Sequence, residues 1–473
     1  MKYFLDPFGC VKNQVDAENM MSLLNKAGWE NSDAEEADLI IVNSCGFIES
    51  AKQESIVAVL GWRKLYPGKK ILLAGCLAQR YAKELAEVLP EADGFFGVTH
   101  MGDIVKIASE IFHTETRGHG DTEKNLRMGE RPLLSLPGSA YVKISEGCDN
   151  RCSFCAIPLI RGGLKSRAID DIVEECRALL GRGVKELCII GQDIASYGID
   201  LKKTSRRDAK PLARQFYERR TQREDKEEEG KKEGLAELLK ALSLLEGHFW
   251  VRLLYIHPDH FPFEILDIME RDSRFLPYFD IPFQHASQKI LAAMNRRGCA
   301  EQYLELIKTI RARLPRAVIR STFLLGFPGE SEDDFSALLD FQQKAKLDWL
   351  GCFTYSREED TPAYSMKGRV PAKTAQARKQ MIEERQIPIT EKNMERFTGE
   401  TLEVLIEEEI AGSEDSGTNG ETFWLGRLYL QAPEIDGAAV LAESGTGGKI
   451  PQTGSLVSCK VIARRGFDLE ISL

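Results

Sequence analysis

The strongest constraint on this chain is a rhythm in which short, charge-poor apolar runs recur, each followed by a stretch of helical periodicity. Residues 38–43 (DLIIVN) and 70–74 (KILLA) read as strands buried on both faces, and residues 2–5 as a shorter one. Between them, 14–27 and 49–66 carry helical spacing, with Gly28 and the Pro67-Gly68 pair as stops. Further helices are expected over 79–89 and 103–112. Parallel strands need long crossovers, so this order predicts a small parallel sheet covered by helices.

After a polar, glycine-containing stretch the rhythm resumes on a longer scale, with strands expected at 140–144, 186–190, 250–254, 279–281, 318–323 and 349–353. Strands so separated by helices suggest an incomplete (β/α) barrel of the TIM type, with reactive groups at the strand C-terminal ends. A mixed-charge run at 201–233, including Arg219-Arg220 and Glu227-Glu228-Glu229, interrupts the pattern and reads as a solvated insertion. Past residue 396 the strands become short and glycine-punctuated, at 401–407, 424–430, 438–441, 456–462 and 467–471. That spacing suggests a small antiparallel barrel of the OB type. The expected organisation is α/β: a parallel α/β domain over 1–115, a linker over 116–133, a partial barrel over 134–396 and a small all-β barrel over 397–473.

The 473 residues include 11 cysteines, an odd number in a large chain and a poor disulfide framework. No apolar run approaches the ~20 residues of a bilayer span, and the opening Met1-Lys2-Tyr3-Phe4-Leu5-Asp6-Pro7 is broken by charge and proline. A cytoplasmic protein without membrane association is therefore expected, and its thiols need another explanation. Cys148, Cys152 and Cys155 form a C-x3-C-x2-C loop directly after an expected strand. Three thiolates so crowded supply three ligands to a four-iron cubane and leave one iron open to a chelating small molecule. The competing reading is a zinc knuckle lacking its fourth ligand. Cys10, Cys45 and Cys76 each follow an expected parallel strand and sit beside a glycine, so they share one rim of the sheet, where open α/β folds bind ligands. Singly each reads as a core cysteine; jointly they suggest a second cluster. Cys176, Cys188, Cys299, Cys352 and Cys459 read as small buried hydrophobes.

The chain resembles the radical S-adenosylmethionine methylthiotransferases. The resemblance rests on both cysteine triplets, on Ser145-Glu146-Gly147-Cys148 through Arg161-Gly162, on Gly326-Phe327-Pro328-Gly329-Glu330, and on Tyr355-Ser356-Arg357-Glu358 with Thr361-Pro362-Ala363. It implies an N-terminal methylthiotransferase domain, a radical SAM partial barrel and a C-terminal TRAM barrel. It also implies two 4Fe-4S clusters and S-adenosylmethionine as cofactors. The cluster on Cys148, Cys152 and Cys155 would cleave S-adenosylmethionine to a radical that abstracts hydrogen, and that on Cys10, Cys45 and Cys76 would carry the inserted sulfur. Phe154 is expected against the adenine, with loop anchoring as the alternative; Gln192 and Thr322, at or near strand ends, are expected to face the cofactor. His285 reads more readily as a core histidine.

The blocks 46–55, 280–287 and 431–437 resemble the branch that methylthiolates the β-carbon of an aspartate in small-subunit ribosomal protein number twelve. The alternative is the branch acting on transfer-RNA adenosine. The net charge of -10, from 63 basic and 73 acidic side chains, lowers the expectation of a nucleic-acid partner. Carboxylates in the last domain, Glu403, Glu407, Glu408, Glu409, Glu414, Asp415, Glu421, Glu434 and Asp436, favour a basic protein substrate. The resemblance further implies an electron donor such as flavodoxin or ferredoxin and a monomeric enzyme; it leaves the sulfur donor open. An iron–sulfur electron carrier, the reading from another class, has no need of the barrel chamber or the appended domain.

Overall fold

The computed structural model describes residues 1–113, 128–201, 234–412, 421–448 and 450–473. The insertion expected at 201–233 lies outside these apart from Leu201, as do most of the expected linker and Glu414, Asp415, Gly417, Gly420 and Lys449.

The first domain contains, in chain order, β1 (Lys2–Pro7), α1 (Val11–Lys26), β2 (Glu30–Asn31), β3 (Leu39–Ser44), α2 (Glu49–Leu65), β4 (Lys70–Gly75), α3 (Cys76–Val88), β5 (Gly94–Phe96) and α4 (Ile104–Ile111). The strands run parallel in the order β2-β1-β3-β4-β5. Every residue of β3 is buried, as an apolar run between two helical layers requires. The edge strands β2 and β5 were not expected, because two or three residues show no period. Helix α3 starts on Cys76, ahead of the expected 79, since β4 passes into the helix through Gly75 without a loop.

The second domain opens with β6 (Ser139–Lys143), followed by a short antiparallel ladder of β7 (Ser145–Glu146) and β8 (Lys165–Ser166) that pins both ends of the cysteine loop. Helix α5 (Ile157–Arg161) lies inside that loop, and α6 (Ile169–Gly181) follows it. Strands β9 (Glu186–Ile190), β10 (Trp250–Leu253), β11 (Phe275–Asp280), β12 (Val318–Leu325) and β13 (Trp349–Thr354) complete a parallel sheet ordered β13-β12-β11-β10-β9-β6. Strand β11 begins before the expected 279 because Pro277 does not break it. Side chains alternate between two cores with the period of a strand. Leu187, Ile189, Phe275 and Phe279 join the outer core under the helices, whereas Cys188, Ile190, Leu276 and Tyr278 join a core shared with the last domain and with Val15 of α1. The concave face of the open barrel is thus covered by its two neighbouring domains.

The third domain closes β14 (Thr401–Ile410), β15 (Phe423–Leu428), β16 (Ala439–Ala442), β17 (Leu456–Arg465) and β18 (Asp468–Ser472) into a barrel ordered β14-β15-β16-β18-β17. It is not wholly antiparallel as expected: β16 pairs with β18 in parallel. Among the described residues no helix is long and apolar enough to cross a membrane. Four of the expected core cysteines, Cys176, Cys188, Cys352 and Cys459, are buried, and Cys299 is half-buried.

Candidate functional site

Three strand ends deliver the first thiol group. Cys45 and Cys76 follow directly on β3 and β4, and Cys10 stands just past β1 at the head of α1. Because β1, β3 and β4 are parallel neighbours, all three thiols belong to one edge of the sheet. Asn13, one turn into α1, joins two of them: its Oδ1 lies 3.9 Å from Cys10 Sγ and 3.2 Å from Cys76 Sγ. A Cβ on Gly46 would stand 2.7 Å from the carbonyl oxygen of Cys76, so only glycine lets the Cys45 segment come so close. Burial pushes the Cys76 thiol up to about 12 and also raises that of Cys45. Both are neutral thiols at physiological pH unless a cation draws off the proton.

The second group sits on the loop between β7 and β8. Gly147 adopts φ +68°, and a Cβ there would meet the carbonyl oxygens of Gly163 and Gly162, so the loop closes on itself only with glycine. Arg151 is also left-handed, at φ +52°, and its carbonyl accepts from Asn295 Nδ2 at 2.9 Å. The amides of Asn150 and Ile157 point at the sulfurs of Cys148 and Cys155, two residues earlier in each case. Burial nevertheless pushes these thiols up to about 11 and about 12.

Among the described residues no group of His, Cys, Asp or Glu side chains is gathered closely enough to hold a single metal ion. A cubane takes one thiolate on each of three different irons, so its ligands straddle the cluster instead of meeting at a point. Two all-thiol sets, one aided by amides aimed at sulfur, fit such a cluster in chemistry; neither includes the fourth ligand of a structural zinc site.

Charged residues join the two groups. Arg161, the last residue of α5, is buried; its Nη2 lies 2.8 Å from Asp16 Oδ2, 2.7 Å from Asn13 Oδ1 and 3.2 Å from Cys76 Sγ, while Nη1 reaches Glu146 at 2.9 Å. One guanidinium therefore ties the cysteine loop of the barrel to a thiol of the other domain. Lys143 pairs with the same Asp16 and Glu146, each at 2.5 Å. On the far side Glu358, from the Tyr355–Glu358 block, takes Arg80 at 2.7 Å and Lys52 at 3.1 Å.

Of the residues expected beside the cofactor, Phe154 is half-buried and packs with Ile290, Met294, Leu324, Phe327 and Ala363, which anchors its loop. Thr322 shares the inner face of β12 with Arg320 and Leu324. Gln192 is half-buried past the end of β9, but it is its neighbour Asp193 that contacts the cysteine loop, accepting from Asn150 Nδ2 at 2.8 Å. Asp193 also accepts from Ser196 Oγ and His260 Nε2, both at 2.6 Å. Burial works against its charge, yet these donors hold it well below the usual carboxylate range. His285 is a core histidine: Nδ1 accepts the Ser287 amide at 2.9 Å, and burial lowers it to about 4. The Gly326–Glu330 block is a locked turn, with Glu330 accepting the Gly326 amide and pairing with Arg378.

Sequence reasoning passed over Lys12, Asp16 and Arg161 as contributors. The signal available was their nearness to cysteines, since Lys12 and Asp16 share α1 with Cys10.

Three family models match the chain: uncharacterized protein family UPF0004 over residues 2–97, the radical SAM superfamily over 142–341, and a TRAM domain over 398–472. A protein of Treponema denticola named ribosomal protein uS12 methylthiotransferase RimO is 48% identical over 98% of this chain and 99% of its own length. The chain belongs to the RimO methylthiotransferase family. A RimO of Carboxydothermus hydrogenoformans is 38% identical, covering 92% of each chain. The radical SAM methyltransferase TsrM of Kitasatospora setae shares the fold at TM-score 0.51 and 16% identity, over 77% of this chain and 74% of its own. As a RimO-family protein with a radical SAM domain, the chain is a radical SAM methylthiotransferase with the three-domain layout expected from its sequence.

Proposed function

We propose that this RimO-family enzyme methylthiolates the β-carbon of an aspartate in ribosomal protein uS12. The reading has Cys148, Cys152 and Cys155 hold one 4Fe-4S cluster and Cys10, Cys45 and Cys76 a second, with S-adenosylmethionine at the barrel mouth beside Phe154, Gln192 and Thr322. The observation that carries the two-cluster reading is Arg161, which spans from the loop of one thiol group to a thiol of the other. When bound, the clusters and S-adenosylmethionine supply the radical and the sulfur.

The chain's own part is placement and exclusion of water. Arg161 and Lys143, paired with Asp16 and Glu146, hold the first domain against the mouth of the barrel. Asp193 fixes the cysteine loop through Asn150. Arg161 lends positive charge to Cys76, which opposes the upward push of burial on that thiol without overcoming it.

The choice of uS12 over transfer RNA rests on the kinship to RimO proteins more than on charge. Surface charge is the weaker argument because Glu407 and Asp436 are buried at the seam between the second and third domains, where they pair with Arg427 and Arg320. The test is an anaerobic competition between uS12 and transfer RNA with the reconstituted enzyme, read by mass spectrometry. A methylthio group on the uS12 aspartate is expected; its appearance on the RNA alone would refute the reading. In parallel, Cys45→Ala should bind about half the iron and sulfide of the parent, and an unchanged content would exclude the second cluster.

A further inference from the structure

Lys12 is a buried cation to which the reaction so far assigns nothing. It lies in the first turn of α1, two residues past Cys10, and is 5% exposed. Its Nζ sits 3.0 Å from the centroid of the Tyr255 ring, which belongs to the barrel domain just beyond the C-terminal end of β10. The ammonium therefore stands between the rim that carries Cys10, Cys45 and Cys76 and the strand ends of the barrel.

The largest through-space attraction on Lys12 comes from Cys10 at the head of the same helix, and the carboxylates that act on it are committed elsewhere. Asp280 accepts the amide of Tyr255 at 3.2 Å and faces Arg320 at 3.5 Å. Glu146 is held by Lys143 and Arg161, and Asp16 on the same helix is held by the same two cations. Among the described residues Lys12 has no ion pair within 4.0 Å and makes the cation–π contact instead. Taking an ammonium out of water costs more than a desolvated cation–π contact returns. A carboxylate brought to this ammonium would supply the direct ion pair that it lacks among the described residues.

The platform for such an anion is built. Tyr255 adopts φ +68°, an uncommon conformation for a bulky residue, and it is held there by Asp280 at its amide and by the Ile194 amide at its carbonyl, 3.1 Å away. Backbone strain of this kind persists where the surroundings over-determine it, and it clusters at ligand sites.

We propose that Lys12 receives the side-chain carboxylate of the substrate aspartate and so holds its β-carbon between the two thiol groups. The inference rests on the aspartate reading above and deepens it: Lys12 becomes the residue that distinguishes a carboxylate substrate from a neutral one. A neutral amide in the same place would leave the ammonium unpaired, which is how a buried polar site rejects a near-isostere.

The test uses the full-length, anaerobically reconstituted enzyme and two peptides of the uS12 loop, one with the target aspartate and one with asparagine in its place. The parent should bind the aspartate peptide at least about tenfold more tightly, the worth of one charge-assisted hydrogen bond. Lys12→Met, which keeps the stem on Tyr255, should bind both peptides alike, and Lys12→Arg should restore part of the preference. Iron content and S-adenosylmethionine affinity should match the parent in both variants. An unchanged preference in Lys12→Met overturns the proposal. So does loss of the first domain's share of the iron, which would make the amine a counter-ion of the cluster, or loss of S-adenosylmethionine binding, which would assign its carboxylate to Lys12. If the parent binds and modifies neither peptide while modifying transfer RNA, the substrate reading itself falls and takes this inference with it.

Discussion

At the scale of single residues, the site is organised by charges that a folded protein rarely buries. Arg161 shows why they are there. Its guanidinium has more donors than a lysine has, in a fixed plane, and it spends them on Asp16, Glu146, Asn13 and Cys76 at once. Lysine at this position could satisfy one or two of these, so Arg161→Lys is not a conservative change. Arg161→Met should leave Asp16 and Glu146 with Lys143 as their remaining partner, at a stability cost of roughly 3–5 kcal/mol for breaking a buried pair. It should also remove the donor to Cys76 Sγ, and hydrogen bonds to cluster sulfur set reduction potential. The expected outcome is a more negative potential for the cluster proposed on the first domain, with that proposed on the barrel loop less affected, measured by redox titration with electron paramagnetic resonance. Equal potentials in parent and variant would reduce Arg161 to an interdomain fastener.

At the scale of elements, the cysteine loop is a closed ring of backbone. It is pinned at its base by β7 and β8, turned at Gly147 and tied at its tip through Asn150, Arg151 and Ser153. A Cβ at residue 147 would press on main-chain oxygens that cannot rotate away. Gly147→Ala should therefore open the loop and lower iron retention on Cys148, Cys152 and Cys155, while Gly162→Ala, with open space around its Cβ, should cost only the strain of its own positive φ. Iron retention after anaerobic gel filtration separates the two, and equal retention would mean that the contact at residue 147 is relieved by backbone movement. The sequence carries the parts of this loop plainly, because a glycine, three closely spaced cysteines and flanking apolar runs all act locally. It also carries β3, β4 and β9, whose apolar runs match the structure closely. Helix α1 is the contrary case. Its helical spacing is expected from residue 14 with no partner for its polar residues, yet Lys12, Asn13, Asp16, Glu18 and Asn19 are all buried because the barrel domain lies on that side. What meets Asp16 or Lys12 is set by residues more than a hundred positions away, and neither period nor propensity contains that information.

At the scale of the whole molecule, the domains are joined by buried ion networks where apolar contact alone would allow sliding. Glu18 pairs with Arg131 at 2.7 Å, and Arg131 with Glu175 at 2.5 Å, on the first seam. On the second, Glu186 of β9 takes Arg252 of β10 at 2.7 Å and Arg427 of β15 at 2.5 Å, and Arg427 also takes Glu407 of β14 at 2.6 Å. Burial acts to raise Glu186, but Arg427 and Arg252 outweigh it and bring the carboxyl from its ordinary 4.5 down to about 2. A depressed carboxyl contributes stability that is complete above the unfolded value and is lost as pH falls through the folded one. Glu407 works in the opposite sense, because burial raises it, so its charge costs stability at neutral pH and protonation removes that cost. The seam should therefore weaken on acidification through Glu186 and not through Glu407. Glu186→Gln strands the buried guanidinium of Arg252, leaves Arg427 with Glu407 alone, and should destabilise the seam by about 3–5 kcal/mol at neutral pH. The gap between parent and variant should then shrink from about pH 4.5 downward and close near pH 2, where Glu186 itself is neutral. Denaturation followed by tryptophan fluorescence can read this, since Trp349 donates to the Leu430 carbonyl across the same seam at 2.7 Å. A gap that stayed constant over that range would show that the Glu186 charge does not hold the last domain in place.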